Sequence, residues 1–247
     1  MDLDILKPDD YDENKSKYEK IRIVVISDTH GKHRMIKIPD GDIFLHCGDF
    51  TNRNHWYNLK DNEIPESIID FNRWLGELPH RYKIVIGGNH EIYFKNLSKQ
   101  EIQMKYLRNG IYLKDELINI EGISIYASPW SFDESYKSKW SLISSNIDIL
   151  MTHIPPGNIL DLAYVPNKPS NDRCPICNSI HSFYDHWGSR SLAKEIFRRI
   201  QPQVHCFGHV HDHFGYKYQQ KTLFINAAAD LTKRTIQFDF YRRRNKR

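Results

Sequence analysis

Five stretches of the sequence place Asp, His or Asn directly after a short apolar run. The first run is Ile21–Ile26, which is almost entirely β-branched and is followed by Asp28 and His30. A carboxylate and an imidazole two residues apart, at the end of a buried strand, suit the binding of one divalent cation. The side chains that follow the other four runs are Asp49, Asn89, His90, His153, His209 and His211.

The number of these side chains indicates more than one metal ion. Without His90 they comprise two Asp, four His and one Asn, whereas a single zinc site takes three or four protein ligands. If Asp49 bridges two ions, each ion has four ligands. One set is Asp28, His30, Asp49 and His211, and the other is Asp49, Asn89, His153 and His209. Ligation by nitrogen and oxygen without thiolate favours Mn, Fe or Zn, and of these we expect Mn, with Fe or Zn as alternatives.

A pair of such ions is suited to chemistry at phosphorus. Ions about 3.5–4 Å apart stabilise the attacking and leaving oxygens of an in-line displacement, and they generate a nucleophilic hydroxide from water near neutral pH. Asp49 would then be a catalytic residue as well as a ligand. His90 has no ion in this count, so we expect it to bind the substrate phosphate beside Asn89, or to protonate the leaving oxygen.

Strands that alternate with helices must position these groups, because the ligands of α/β sheets gather at the carboxyl ends of parallel strands. Apolar runs predict strands at 21–26, 42–46, 82–86, 148–151, 204–207, 222–225 and 235–241. Helical spacing of apolar residues predicts helices at 64–78, 98–108 and 191–200. Between them, short strands with a turn at Glu121-Gly122 predict a hairpin within 111–127.

No internal repeat or long linker divides the chain. We therefore predict a polar N-terminal extension at residues 1–20, a single domain over 21–241 and a basic C-terminal tail at 242–247. The stretch 166–187 lacks periodicity and is predicted to be an inserted loop. It contains a Cys-x-x-Cys pair and two His, formed by Cys174, Cys177, His181 and His186. This is only a partial zinc spacing, so we favour a flexible lid over a structural zinc site.

The composition is that of a globular protein. Of the 247 residues, 40% are hydrophobic and 27% are charged, which excludes a disordered chain. A net charge of +4 is too small to indicate nucleic-acid binding by itself. No apolar run approaches the roughly 20 residues of a membrane span, and the N-terminus lacks the pattern of a signal peptide. With four cysteines that form no disulfide framework, we predict a cytoplasmic protein without a membrane partner.

Taken together, the five clusters resemble the motifs of the calcineurin-like metallophosphoesterases. The pattern of that family is D-x-H, G-D, G-N-H-E/D, a lone His and G-H-x-H, and each motif is present in this order between residues 28 and 211. Finer matches resemble the MPPED (metallophosphoesterase-domain-containing) branch: CGDFT at 47–51, SPW at 128–130, MTHIPP at 151–156 and FGHVH at 207–211.

This resemblance implies a four-layer α/β/β/α sandwich of two mixed sheets flanked by helices, with phosphodiesterase or phosphomonoesterase activity. Because His209 is present, the resemblance also implies a complete second metal site. The substrate we expect is a small phosphodiester, with cyclic nucleotides among the candidates. One alternative is a nuclease or a nucleic-acid end-processing phosphoesterase, which the basic tail and Arg198-Arg199 favour slightly. A non-catalytic scaffold is a further alternative, against which the intact set of ligands argues.

Overall fold

Two six-stranded β-sheets pack face to face, and helices cover the outer face of each sheet. The computed structural model describes residues 2–3, 6–52, 63–131, 137–169 and 171–244. One apolar core lies between the two sheets, and a further core lies between each sheet and its helices. The prediction of a four-layer α/β/β/α sandwich with two mixed sheets is confirmed.

The first sheet contains the strands that end in the first three clusters. Its order is β1-β14-β2-β3-β4-β5, in which β2 to β5 are parallel and β14 is antiparallel to β2. The strands are β1 (Asp2–Leu3), β2 (Tyr18–Ile26), β3 (Ile43–His46), β4 (Tyr82–Val85), β5 (Ile111–Tyr112) and β14 (Ile236–Arg243). The predicted domain boundaries at residues 20 and 241 stay predictions. β2 begins before the first boundary, at Tyr18, and β14 continues past the second, to Arg243.

The second sheet contains the strands that end in the last two clusters. Its order is β12-β13-β11-β8-β7-β6, in which β13, β11, β8 and β7 are parallel to one another and the edge strands β12 and β6 are antiparallel to β13 and β7. The strands are β6 (Glu116–Ile120), β7 (Ile123–Ser128), β8 (Ile149–Thr152), β11 (Val204–Phe207), β12 (Gly215–Gln219) and β13 (Thr222–Asn226). The predicted hairpin is β6–β7. Its turn residues Glu121 and Gly122 both have positive φ angles, as a tight hairpin turn requires.

Helical segments cover the outer face of the first sheet. α1 (Glu66–Glu77) ends just before Pro79, and its buried face consists of Ile68, Phe71, Trp74 and Leu75. α2 (Lys99–Glu101) begins with a capping box between Ser98 and Glu101 and continues as a π-helical turn, Ile102–Tyr106. The helices predicted in these two regions are therefore present, although the second contains only one short α-helical turn.

The second sheet is covered by α3 (Lys137–Ser141) and α4 (Arg190–Glu195), which continues as the π-helical turn Ile196–Ile200. Leu192, Ile196 and Ile200 are buried in the core between α4 and the second sheet. None of the helices in the described ranges has the length and hydropathy needed to span a lipid bilayer.

The stretch predicted to be an inserted loop follows one strand of a small antiparallel sheet and includes the other strand. β9 (Leu162–Tyr164) pairs with β10 (Tyr184–His186), so that Tyr164 lies opposite Tyr184 and Leu162 opposite His186. The segment from 165 to 183 therefore leaves the fold and returns to it at one place. We call this segment, together with β9 and β10, the insertion.

Candidate metal centre

The five sequence clusters meet at the carboxyl ends of strands from both sheets. Asp28 and His30 follow β2, Asp49 follows β3, and Asn89 and His90 follow β4; His153 follows β8, and His209 and His211 follow β11. Contacts between these side chains cross from one sheet to the other. We call this group of residues the strand-end cluster.

One half of the strand-end cluster contains Asp28, His30 and His211. One ligand atom from each of these residues lies within 4.8 Å of the others. His211 Nε2 is 3.2 Å from Asp28 Oδ1 and 3.3 Å from His30 Nε2. Two imidazole nitrogens and a carboxylate oxygen that face one point form a donor set suited to a divalent cation.

The other half contains Asn89, His153 and His209. Asn89 Oδ1 is 2.9 Å from His153 Nε2 and 2.8 Å from His209 Nδ1. Asp49 Oδ2 lies 3.4 Å from His153 Nε2. The four residues that the sequence assigned to the second ion are therefore connected by contacts of Asn89 with both histidines and of His153 with Asp49.

Asp49 lies between the two halves. It groups within 4.8 Å with Asp28 and His153, and again within 4.8 Å with His30 and His90. Asp49 and Asp28 belong to strand ends that are hydrogen-bonded to each other through the Asp28 amide and the Gly48 carbonyl, at 2.9 Å. This placement fits a carboxylate that contacts two ions. The ligand roles of the seven residues stay predictions.

The histidine rings are oriented by acceptors outside the cluster. Nδ1 of His30 is 3.2 Å from the Thr51 carbonyl oxygen, and Nδ1 of His153 is 2.8 Å from the Cys47 carbonyl oxygen. Because a carbonyl can only accept, each Nδ1 carries a proton, and Nε2 is the nitrogen that can present a lone pair to a metal once its own proton is lost. Metal-binding histidines are held in this way, so the residues present fit a pair of divalent cations.

The backbone of the strand-end cluster is held in unusual conformations. Four of its residues have positive φ angles, namely Asp28 (55°), His30 (45°), Asp49 (54°) and His209 (71°). Such angles are uncommon outside glycine and cost on the order of 1 kcal/mol each, so they persist only where the surrounding structure enforces them. Gly48 has a φ of 99°, and a Cβ there would come within 2.7 Å of His153 Nδ1. The strand ends are packed too closely there for a larger residue.

The buried charges of the strand-end cluster compensate one another. Asp28 and His153 are 0% exposed and Asp49 is 2% exposed. Burial alone would raise the pKa of Asp28 and of Asp49, but the neighbouring imidazoles outweigh it and lower both pKa values. Burial would lower the pKa of His153, but the Asp49 carboxylate outweighs it and raises that pKa to about 9. A proton on His153 thus balances the negative charge of the buried carboxylates, which a bound cation would balance in its place.

Glu91 is a positioning residue that the sequence interpretation missed. Its carboxylate accepts hydrogen bonds from the amides of Asp49 (2.9 Å), Thr51 (2.9 Å) and Gly88 (2.7 Å), and from the Thr51 hydroxyl (2.8 Å). Burial, together with the Asp49 charge, raises the pKa of Glu91 to about 7. Glu91 therefore connects the segment after β3 to the segment after β4. The sequence signal that could have identified Glu91 was its position as the last residue of the G-N-H-E motif.

A cavity of about 290 Å³ opens above the strand-end cluster. His90 lines it, with Nε2 3.8 Å from Asp49 Oδ2 and a side chain that is 28% exposed. Tyr164 and Trp187 line it as well, and the Trp187 ring lies 5.7 Å from that of His209. The sequence interpretation missed these two aromatic residues because nothing in the aperiodic insertion indicates which residues face the cavity.

The chain belongs to the calcineurin-like phosphoesterase family, whose model matches residues 21–213. The recognition of this family from the motifs is thereby confirmed. The prediction of a metal-dependent phosphoesterase domain is confirmed at the level of the family.

Among individual proteins, the chain is similar to metallophosphoesterase domain-containing protein 1 of Homo sapiens, with 34% identity over 239 residues, covering 84% of this chain and 65% of the relative. The Mus musculus protein of the same name matches equally well. A UPF0046 protein of Caenorhabditis elegans is 35% identical over 234 residues, covering 85% of this chain and 75% of that protein. The chain therefore spans about two thirds of the human and mouse relatives.

A solved structure described as a novel archaeal phosphodiesterase superposes with a TM-score of 0.42 and 15% sequence identity, covering 86% of this chain and 88% of that one.

Proposed function

We propose that this chain hydrolyses small phosphodiesters with the help of two divalent metal ions, and that cyclic nucleotides are among its candidate substrates. The observation that carries the proposal is the position of Asp49, whose carboxylate lies within reach of both halves of the strand-end cluster. Mn is the metal we propose, with Fe or Zn as alternatives, because the ligands are nitrogen and oxygen atoms without thiolate.

Each side chain of the strand-end cluster has a distinct part in this proposal. Asp28, His30 and His211 would hold one ion, and Asn89, His153 and His209 the other, with Asp49 shared between them. When bound, the ions would supply Lewis-acid stabilisation of phosphoryl oxygens and a water of lowered pKa.

His90 and Asn89 would serve the substrate. The His90 ring is partly exposed to the cavity and packs 4.6 Å from the ring of His30, which restricts its orientation. It can donate a hydrogen bond to a phosphoryl oxygen or give a proton to the leaving oxygen. Asn89 turns its carbonyl oxygen toward His153 and His209, so its amide nitrogen is available to donate to phosphate.

The lining of the cavity supports a diester rather than a monoester. Among the described residues it contains no Lys or Arg, whereas a doubly charged monoester is typically recognised by cationic side chains. A diester has one negative charge and two organic substituents. Tyr164 and Trp187, which are 49% and 46% exposed, offer aromatic surface on which one substituent can stack.

The experiment compares the full chain on bis(p-nitrophenyl) phosphate and p-nitrophenyl phosphate with added Mn²⁺, followed by a panel of cyclic nucleotides. We expect kcat/KM to be at least about tenfold higher for the diester, a difference of about 1.4 kcal/mol in the activation barrier. Equal rates, or a preference for the monoester, would contradict the diester assignment. Unchanged activity after His153→Ala would contradict the two-metal site itself.

Arg199, which is part of the support for the nuclease alternative, has a structural role. The Arg199 guanidinium donates to Glu195 (3.0 Å) and to the Trp140 carbonyl (2.8 Å), so it serves to join α4 to α3. Hydrolysis of oligonucleotides in preference to small diesters, with binding that weakens steeply as salt rises, would restore this alternative. A folded preparation that binds no Mn²⁺ would favour the scaffold alternative.

A further inference from the structure

A second group of metal-type side chains lies in the insertion. One atom from each of Cys174, Cys177, His181 and His186 lies within 4.8 Å of the other three. We propose that these four residues bind one Zn²⁺ ion at a structural site that is separate from the strand-end cluster. We call them the insertion cluster.

The two histidines are oriented as metal ligands. Nδ1 of His181 lies 3.0 Å from the Tyr184 carbonyl oxygen, and Nδ1 of His186 lies 2.9 Å from Asp161 Oδ1. In each ring Nε2 is buried, and it has no hydrogen-bond partner of good geometry among the described residues. A buried polar atom without a partner is costly. A carboxylate or carbonyl on one ring nitrogen and a metal on the other is the common arrangement for zinc-binding histidine.

The two cysteines are prepared to act as thiolates. Neither forms a disulfide, and Cys174 Sγ accepts a hydrogen bond from the Ile176 amide at 3.4 Å. The adjacent His186 ring, followed by the Ser179 amide, lowers the pKa of Cys177 to about 6. The pKa of Cys174 is lowered as well, because the amides of Cys177 and Ile176 outweigh the opposing effect of burial. The thiolate is the form of cysteine that binds metal.

The donor set selects the metal. Two thiolates and two imidazoles form the Cys₂His₂ set of structural zinc sites, whose bonds of about 2.0–2.3 Å place tetrahedral ligand atoms about 3.3–3.8 Å apart. A contraction of about 1 Å within the loop converts the observed cluster into that geometry. Only three residues separate Cys177 from His181, so the site would close a compact loop rather than join a strand to a helix.

The insertion has few other means of holding its shape. Ile180 and Phe183 are 58% and 38% exposed, so the segment buries little apolar surface. Its backbone is closed locally by hydrogen bonds such as Cys174 N to the Ser179 carbonyl, at 2.9 Å. For a segment of this kind, the free energy of metal binding is also its folding free energy.

The zinc site would also position one wall of the active-site cavity. His186 is followed directly by Trp187, whose amide donates to the Asp161 carbonyl at 2.9 Å. Asp161 therefore contacts the zinc ligand through its side chain and the cavity residue through its backbone. The Asp161 side chain is 2% exposed, so this connection is shielded from solvent.

The test uses the full chain with Co²⁺ in place of Zn²⁺. Thiolate bound to Co²⁺ gives a charge-transfer absorption in the near ultraviolet, and none of the predicted ligands of the strand-end cluster is a thiolate. We expect this band at one equivalent of Co²⁺ per chain. It should be lost in the Cys174→Ser, Cys177→Ser double variant and retained in Asp49→Asn. Elemental analysis of zinc-loaded protein should show one zinc fewer per chain in the double variant than in the wild type.

The wild-type protein alone also decides the question if the double variant does not fold. X-ray absorption at the zinc edge should then require sulfur as well as nitrogen neighbours. A wild-type protein without the cobalt band, or with no sulfur around its zinc, would overturn the proposal. A Cys174–Cys177 disulfide in freshly purified protein, detected by mass spectrometry after alkylation, would overturn it equally.

Discussion

The strand-end cluster and the insertion cluster obtain their geometry in opposite ways. The first draws its ligands from residues 28 to 211 and holds them on strands of two sheets. The second draws all four ligands from residues 174 to 186, within a segment that has little apolar burial. Ligands that are distant in sequence must be brought together by folding before a metal arrives, whereas neighbouring ligands in a loop can be ordered by the metal itself.

The two clusters also differ in burial and in backbone contacts. Asp28 and His153 are fully buried, and the Gly208 amide is bonded to the His153 carbonyl at 3.0 Å. The residues of the insertion cluster are each partly exposed. We therefore expect metal removal to leave the strand-end cluster in place and to disorder the insertion. The following four experiments test this contrast.

The largest effect is expected from Asp49→Asn. Loss of the shared carboxylate removes one ligand from each ion, and metal stabilisation of the transition state is worth several kcal/mol, so kcat/KM should fall about 10³-fold while the fold is retained. The matched control is Asp212→Asn, which alters another carboxylate beside the same cavity and should change kcat/KM by less than tenfold. Comparable losses in both variants would show that the site depends on the charge of the cavity rather than on Asp49.

A smaller effect is expected from Glu91→Gln. An amide in place of the carboxylate turns one NH₂ group toward backbone donors, which should weaken metal affinity by about 10–100-fold. Titration of activity with Mn²⁺ measures this change, and excess Mn²⁺ should restore much of the rate. Glu101→Gln, in the exposed capping box of α2, is the control and should leave the Mn²⁺ dependence unchanged. If excess Mn²⁺ restores nothing, Glu91 does more than position its neighbours.

The Cys174→Ser, Cys177→Ser variant should act on substrate binding. With the insertion disordered, Trp187 no longer forms a fixed wall, and we expect KM to rise about tenfold with kcat nearly unchanged, a loss of about 1.4 kcal/mol of binding. Limited proteolysis should cut the insertion faster than in the wild type. The control is Lys168→Ala, which breaks an exposed ion pair with Asp185 and should have little effect. A fall in kcat with KM unchanged would contradict the wall role.

The smallest effect is expected on the pH dependence of unfolding, through His205, which contacts Thr152 next to the ligand His153. His205 is fully buried, its Nε2 lies 2.8 Å from the Thr152 hydroxyl, and burial lowers its pKa to about 3. In the unfolded chain this histidine has a pKa near 6.5. The unfolded state therefore binds a proton as the pH falls below that value, and the folded state does not.

Lowering the pH from 7.5 to 6.0 should thus cost about 0.8 kcal/mol of unfolding free energy through His205 alone. Chemical denaturation at the two pH values measures this cost, and His205→Phe should reduce the pH dependence by that amount. Equal pH dependence in both proteins would show that His205 is not held neutral by the fold.

The strand-end cluster was predictable because its signals are local. Each ligand follows an apolar run whose composition requires a strand buried on both faces, as at Ile23 and Val24, which are 0% exposed. The division into two sheets was not readable from periodicity, because a buried strand has the same composition in either sheet. That division followed from the resemblance of the motifs to a family.

The insertion was less predictable because distant contacts determine its structure. β9 is only three residues long, and its position depends on the Tyr164 amide bonding to Asp212 and the Leu162 amide bonding to His213. No local pattern encodes such pairings. Residues 53–62 and 132–136 lie outside the described residues.

The closed base of the insertion makes that segment exchangeable. The chain leaves at Val165 and returns at Phe183, where the Val165 amide is 2.6 Å from the Phe183 carbonyl oxygen. Two strands that meet so closely can be joined by a two-residue Asn-Gly turn. A chimaera of this kind would keep Tyr164 on β9 and Trp187 directly after β10 while removing Cys174 and Cys177. Segments of other lengths could be grafted at the same junction to alter substrate preference without altering the sandwich.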